Sequence, residues 1–220
     1  MHLLDTILNI IFPVNCVSCG TSGADLCINC LSQSPPAERE SAKWIFPLYD
    51  YRYPPIKKAL WLFKYKGKKK LALVFAEILY GRILEELSDL SVMENFCEAV
   101  LIPIPLSKKR YRERGYNQTE LLCKELVRLD TGKNFILAKN ILIKIQETEH
   151  QAHIKDRRDR LKNLSGSFAL KNTKENRSLI RNRNIILIDD ITTTGATLAE
   201  AKKTLKKAEG RKVIAFTIAH

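Results

Sequence analysis

The chain has 220 residues, enough for one full α/β domain with a small appendage and too few for two large domains. Its hydrophobic share of 45% is ordinary for a soluble protein that buries a real core. Lys and Arg number 37 against 24 Asp and Glu, a net charge of +13. Such a balance draws a protein toward nucleic acid, an acidic membrane surface or phosphorylated ligands, although it also describes a basic surface with no specific partner.

In chain order, Leu3 to Phe12 is the longest apolar stretch near the start, and Asp5, Thr6 and Asn9 interrupt it. It is too short to span a bilayer and lacks the basic flank and small-residue cleavage site of a signal peptide. It reads as a short amphipathic helix, and the protein as cytoplasmic with no transmembrane segment.

Four of the six cysteines follow as two Cys-x-x-Cys pairs, Cys16 with Cys19 and Cys27 with Cys30, separated by seven residues. Each pair can present two thiolates to one ion, and together they fill a tetrahedral shell, which would make the ion a structural Zn²⁺. Gly20 and Gly23 let the intervening turn fold back. A segment this short cannot build its own core, so a metal would staple it. Disulfides or a redox pair are the alternatives. Cys97 and Cys123 are isolated and read as buried packing residues, and His150 and His153 as surface histidines in a polar loop, with a ligand role the alternative.

Gln33 to Lys43, with two prolines and mixed charges, reads as a linker. Residues 44–66 are rich in aromatics, with Pro54 and Pro55 breaking the run before a helix expected over 56–64. A second helix is expected over 69–88. Lys57, Lys58, Lys64, Lys66, Lys68, Lys69 and Lys70 surround Trp61, Phe63 and Tyr65. Interleaved cations and rings suit single-stranded nucleic acid, and they equally suit an amphipathic helix with aromatics inward and lysines in water. A second cationic run is Lys155, Arg157, Arg158, Arg160 and Lys162.

From Ala99 the texture becomes alternating β and α. The apolar run 99–104 suits a buried parallel strand. A basic loop, a helix over 117–129, strand-like runs over 136–145 and a polar stretch over 146–163 follow. A second buried strand is expected over 185–188, a helix over 196–208 closed by Gly210, and a last strand over 213–218. This pattern implies an α/β fold with a mainly parallel sheet.

The sharpest signal is the stretch 185–197, IILIDDITTTGAT. Four branched apolar residues make a buried strand, and Asp189 and Asp190 sit at its C-terminal tip, the edge where open α/β sheets bind ligands. The run Thr192, Thr193, Thr194, Gly195, Ala196 and Thr197 then turns into a helix whose free N–H groups and hydroxyls suit a phosphate. The carboxylates would repel that phosphate. They suit instead vicinal hydroxyls such as a ribose diol, and a nearby hydrated Mg²⁺. Neither a Walker loop nor a dinucleotide fingerprint is present.

This stretch resembles the motif of type I phosphoribosyltransferases that binds phosphoribosyl pyrophosphate (PRPP). Pro103-Ile104-Pro105-Leu106 with Arg110, Arg112 and Arg114-Gly115-Tyr116-Asn117-Gln118 resembles the signature of the ComF family of competence proteins, as do Gln151, Arg160, Asn163, Gly166 and Phe168. The resemblance covers nearly the whole chain. It implies a four-cysteine zinc-binding domain with an N-terminal helix over 1–40, and a type I phosphoribosyltransferase-like, PRPP-binding domain over 41–220. It gives the loop 106–117, with Arg110, Arg112 and Arg114, the pyrophosphate, and a mobile closing loop to the region of Gln151 to Phe168. It further implies a role in natural transformation, with single-stranded DNA and competence proteins such as a helicase as partners. The alternative is an active phosphoribosyltransferase in nucleobase salvage, in which a nitrogen nucleophile displaces pyrophosphate at C1 of the ribose while Mg²⁺ and the arginines stabilise the leaving group. Asp189 and Asp190 would then be the catalytic pair.

Overall fold

A computed structural model describes residues 14–38, 42–94, 96, 98–145, 166–171 and 173–220. The fully apolar runs of the sequence become the sheet. Strands β1 (Ile45–Tyr49), β2 (Ala99–Pro103), β3 (Phe135–Leu137), β6 (Ile185–Ile191) and β7 (Val213–Ala219) form one sheet in the order β1-β7-β6-β2-β3, and every pairing is parallel. Between β3 and β6 lies a small antiparallel pair, β4 (Leu142–Lys144) with β5 (Phe168–Leu170).

Alternate side chains of the central strands enter two apolar layers, as the pleat requires. Ile186, Ile188, Ile214 and Phe216 face one layer, and Ile185, Leu187, Val213 and Ala215 face the other. Helices α2 (Pro54–Tyr65), α3 (Leu71–Glu94) and α5 (Gln118–Leu129) cover the first layer. Helices α6 (Lys174–Ile180) and α7 (Ala196–Lys207) cover the second. Two prolines occupy the opening positions of α2, where no N–H partner is lost.

The short helix α1 (Ile28–Ser32) follows the cysteine-rich turn, and Leu26 and Leu31 on either side of its start are fully buried. Both belong to the same apolar cluster as Phe46, Ile56 and Phe75, so the cysteine-rich segment and the α/β domain share one core.

Several expectations are modified. The aromatic run after Trp44 contains β1, a strand at the sheet edge. The segment expected as a linker is partly anchored beside it: Ser34 is buried and the Ala37 amide donates to the Leu48 carbonyl at 3.0 Å. The basic stretch 106–117 contains a helix, α4 (Lys108–Arg114), whose N-cap Ser107 accepts from the Arg110 amide at 3.3 Å. At the end of α7 the left-handed residue is Glu209, with φ 64°, and not Gly210. Gly210 is small for another reason, since a Cβ there would lie 2.7 Å from Ile185 Cδ1.

Candidate functional site

Strands β2 and β6 are neighbours, with Pro103 in register with Ile188. Their C-terminal ends therefore release two loops side by side, and the Ile104 amide donates to the Ile188 carbonyl at 2.9 Å. Between the loops lies a cavity of about 270 Å³. Asp189, Asp190, Thr192, Thr193, Thr194, Gly195, Ala196 and Thr197 line it from the β6 side, and Arg110 and Arg114 from the β2 side. Of the pocket residues read from the sequence, all but one thus meet in a single cavity. The exception, Arg112, does not line it and is exposed. The reason is helical: residues four apart share a face of α4, and Arg112 lies midway between the other two.

The loop after β6 is tied down at both ends. The Thr192 amide donates to the Ala219 carbonyl at 2.9 Å, joining the loop to the end of β7. Gly195 is the N-cap of α7 with φ 72°, a conformation that favours glycine. An added Cβ would approach Ile45 Cδ1 at 3.0 Å, so this glycine also keeps the helix close to β1. On the other loop, Asn117 caps α5. Its Nδ2 donates to the Ile104 carbonyl at 3.1 Å, as does the Thr119 hydroxyl at 2.8 Å. The Tyr116 hydroxyl donates to the Phe63 carbonyl, fastening the end of α2 to the same loop. Tyr116 and Asn117 are therefore scaffold, while Arg110 and Arg114 face the cavity.

Ser107 of the loop 106–117 also lines the cavity, as do Lys64, Lys144 and Tyr51, which sequence reasoning does not assign to it. Lys64 Nζ lies 2.8 Å from Asp190 Oδ1, with the two side chains only 14% and 11% exposed. In the sequence it stands among lysines that suit solvent or DNA. The helix period carries the missing signal, because Lys64 follows the buried Ile56 and Leu60 at intervals of four. Asp189 accepts from the Asp190 amide at 2.8 Å. Burial, and then the neighbouring Asp190 charge, push its carboxyl up to about 7, against the pull of Lys64 and Lys144.

The rings of α2 divide. Phe63 is fully buried, whereas Trp61 and Tyr65 are about half exposed. Lys66 Nζ lies 5.2 Å from the centroid of the Trp61 ring, and the Arg114 guanidinium lies 4.9 Å from that of Tyr65 while donating to its hydroxyl at 3.1 Å. Of the segment expected to close over the pocket, the Gly166 amide donates to Glu200 Oε1 at 2.8 Å and Phe168 is buried. Gln151, Arg160 and Asn163 lie outside the described residues, as do His150, His153, Cys97 and the run Lys155 to Lys162.

A second site is the cysteine cluster. The sulfurs of Cys16, Cys19, Cys27 and Cys30 all lie within 4.8 Å of one another, and all four are free thiols. A tetrahedral Zn²⁺ with Zn–S arms of ~2.3 Å has sulfur–sulfur edges of ~3.8 Å, and Cys19 and Cys27 stand 3.8 Å apart. The donor set fits the metal. Hydrogen bonding from the Thr21 side chain and backbone favours the Cys19 thiolate and holds that thiol down at about 6. The thiolate is the form that binds metal.

Residues 135–220 match the phosphoribosyl transferase domain family. With its mainly parallel sheet and the loop after β6, the chain has the type I phosphoribosyltransferase fold. Over 197 residues it is 31% identical to competence protein F of Haemophilus influenzae, covering 86% of this chain and 78% of that protein. It is 26% identical over 198 residues to the DNA utilization protein YhgH of Escherichia coli K12, covering 86% and 77%. It is 38% identical over 120 residues to competence protein ComFC of Bacillus subtilis, covering 54% and 43%. The chain belongs to the ComF family of phosphoribosyltransferase-like competence proteins.

The raised carboxyl of Asp189 has a consequence for stability. A carboxyl whose folded-state value is raised contributes stability that is fully present below the unfolded value and lost as pH rises through the folded one, here about 7. Asp189→Asn removes that loss. The variant should melt a few degrees above the parent at about pH 8, with the gain shrinking toward about pH 5. Thermal denaturation at both values checks this, and an equal gain at both, or none, contradicts it.

Proposed function

We propose that this protein binds PRPP with Mg²⁺ in the cavity between the β2 and β6 loops, and handles single-stranded DNA in the cytoplasm during natural transformation. The observation that carries the ligand reading is the convergence on one cavity of two carboxylates, a threonine-rich helix N-terminus and two arginines. That set is complementary to a sugar with a phosphate at one end, hydroxyls in the middle and a pyrophosphate beyond. Thr192 to Thr197 would take the 5′-phosphate through amides and hydroxyls. Asp189 and Asp190 would accept from the ribose hydroxyls. Arg110 and Arg114 would grip the pyrophosphate. Two carboxylates alone do not cage Mg²⁺, which completes its octahedron with waters and substrate phosphates, so the set fits an ion that arrives with its ligand. Asp189 and Asp190 would hold such an ion, whose charge would offset that of the pyrophosphate.

Calorimetry tests this reading. The protein should bind PRPP with Mg²⁺ present, and ribose 5-phosphate more weakly because it cannot engage the arginines. Each charge-assisted hydrogen bond lost in Asp189→Ala plus Asp190→Ala costs about 1.5–3 kcal/mol, so affinity should fall about 100-fold or more. Unchanged affinity in a folded double variant defeats the assignment.

The cysteine cluster supports a structural Zn²⁺, closed to substrate because all four positions are protein thiolates. Elemental analysis should find about one zinc per chain, and Cys27→Ser plus Cys30→Ser should lose it and lower the melting temperature. Folded protein without zinc and with oxidised cysteines would be the opposite result.

The DNA reading follows from the relatives named for competence and DNA utilization, and from the exposed Trp61 and Tyr65, each beside a cation. Rings for stacking and charge for phosphates are what single strands require. Single-stranded DNA should quench Trp61 fluorescence, with affinity falling steeply between about 0.05 and 0.2 M salt. Trp61→Ala should cost about 1–3 kcal/mol. Affinity indifferent to salt, or to the loss of the ring, would remove this face from DNA binding.

A further inference from the structure

The ion pair between Lys64 and Asp190 is not explained by the residues needed to cradle a phosphorylated sugar. Lys64 comes from the last turn of α2, far along the chain from the loop it meets. Its root is fixed, because the neighbouring Phe63 carbonyl accepts from the buried Tyr116 hydroxyl. Its ammonium therefore reaches the cavity from an anchored backbone and takes up Asp190 Oδ1, one of the oxygens that a cation or a sugar hydroxyl would use.

A divalent ion and an ammonium cannot share that oxygen without strong repulsion at short range. An ion entering alone must expel Lys64. The other charged side chains lining the cavity are Arg110, Arg114, Lys144 and Asp189. Most of these are cations, so the expelled ammonium gains little inside the pocket. A phosphorylated ligand changes this, because its oxygens add anionic acceptors to the single carboxylate, Asp189, that the cavity otherwise offers the freed ammonium.

We propose that Lys64 is a resident counter-ion that makes the cation at Asp190 conditional on an anionic ligand. With the cavity empty it neutralises Asp190 and keeps free divalent ions out. When an ion arrives with a phosphorylated sugar, Lys64 turns from the carboxylate to the phosphate oxygens. Cation and phosphate then bind as a coupled pair, each tightening the other by the same factor. Lys64 is thus a specificity-determining residue of the pocket, and this role rests on the reading of that pocket as a PRPP·Mg²⁺ site.

The test separates ion from ligand. Mn²⁺, alone and without any phosphate, is titrated into the full chain and followed by its electron paramagnetic resonance, and PRPP binding at saturating Mg²⁺ is measured by calorimetry. Lys64→Gln keeps a hydrogen bond to Asp190 and removes the charge. It should bind Mn²⁺ alone about 10-fold more tightly than the parent and PRPP·Mg²⁺ about 10-fold more weakly, opposite shifts that a general loss of packing would not produce. Lys64→Met, measured alongside, should shift both in the same directions. Lys58→Gln removes the same charge from the exposed face of α2 and should move either affinity by less than about 3-fold. Mn²⁺ affinity unchanged in a folded Lys64 variant, or PRPP·Mg²⁺ affinity that does not fall, overturns the role of Lys64 while leaving the pocket reading intact. Failure of the parent protein to bind PRPP·Mg²⁺ overturns both.

Discussion

The parallel pairing of β2 with β6 governs what this molecule can do. Parallel strands need crossover connections that bring the chain back to the same end of the sheet. Both strands consequently end at one edge, and their loops leave from adjacent positions, with Ile104 hydrogen-bonded to Ile188 across the junction. One loop carries Asp189 to Thr197 and the other carries Arg110 and Arg114. Neither loop could form a pocket alone, since one offers carboxylates and hydroxyls and the other guanidinium groups. The register makes their chemistry complementary, and Asn117 and Thr119 hold it by donating to the Ile104 carbonyl.

The sheet is also where the sequence is most informative. The runs that form β2, β6 and β7 are apolar on both faces because helices cover both sides, and such runs have few other uses in a chain of this length. The edge strand is not legible for a related reason. Strand β1 holds Pro47 in its middle, a residue that cannot donate to a ladder and is tolerated where only one side is paired. Its aromatics and proline obscure the pattern that a central strand displays. The helix α4 is hidden by its composition, with no buried residue and no apolar stripe. Only its Ser107 cap and the four-residue spacing of Arg110 and Arg114 signal it.

Charge is the least legible feature, because a lysine carries no mark of where it will point. In the sequence the cluster around α2 looks like a single basic surface, yet its members have separate roles. Lys64 is nearly buried on Asp190, Lys68 pairs with Asp25 of the cysteine-rich turn at 3.1 Å, and Lys69 lies over the Tyr116 ring. The first two of these charges are matched by carboxylates, and all three help to position the segments around them. Lys57, Lys58, Lys66 and Lys70 stay exposed, and of these Lys66 lies against Trp61, next to the Arg114–Tyr65 stack.

Arg114 links this outer face to the pocket. Its guanidinium lies over Tyr65, whose ring is half exposed, and the same residue lines the cavity with Asp189 and Asp190. Tyr65 directly follows Lys64, so one turn of α2 sends a cation into the cavity and a ring out toward solvent. A cation held by an aromatic face and one hydroxyl keeps its remaining donors available to an anion. The ring and the cation are thus set by one anchored turn of α2, whose Phe63 carbonyl accepts from the hydroxyl of Tyr116, two residues beyond Arg114.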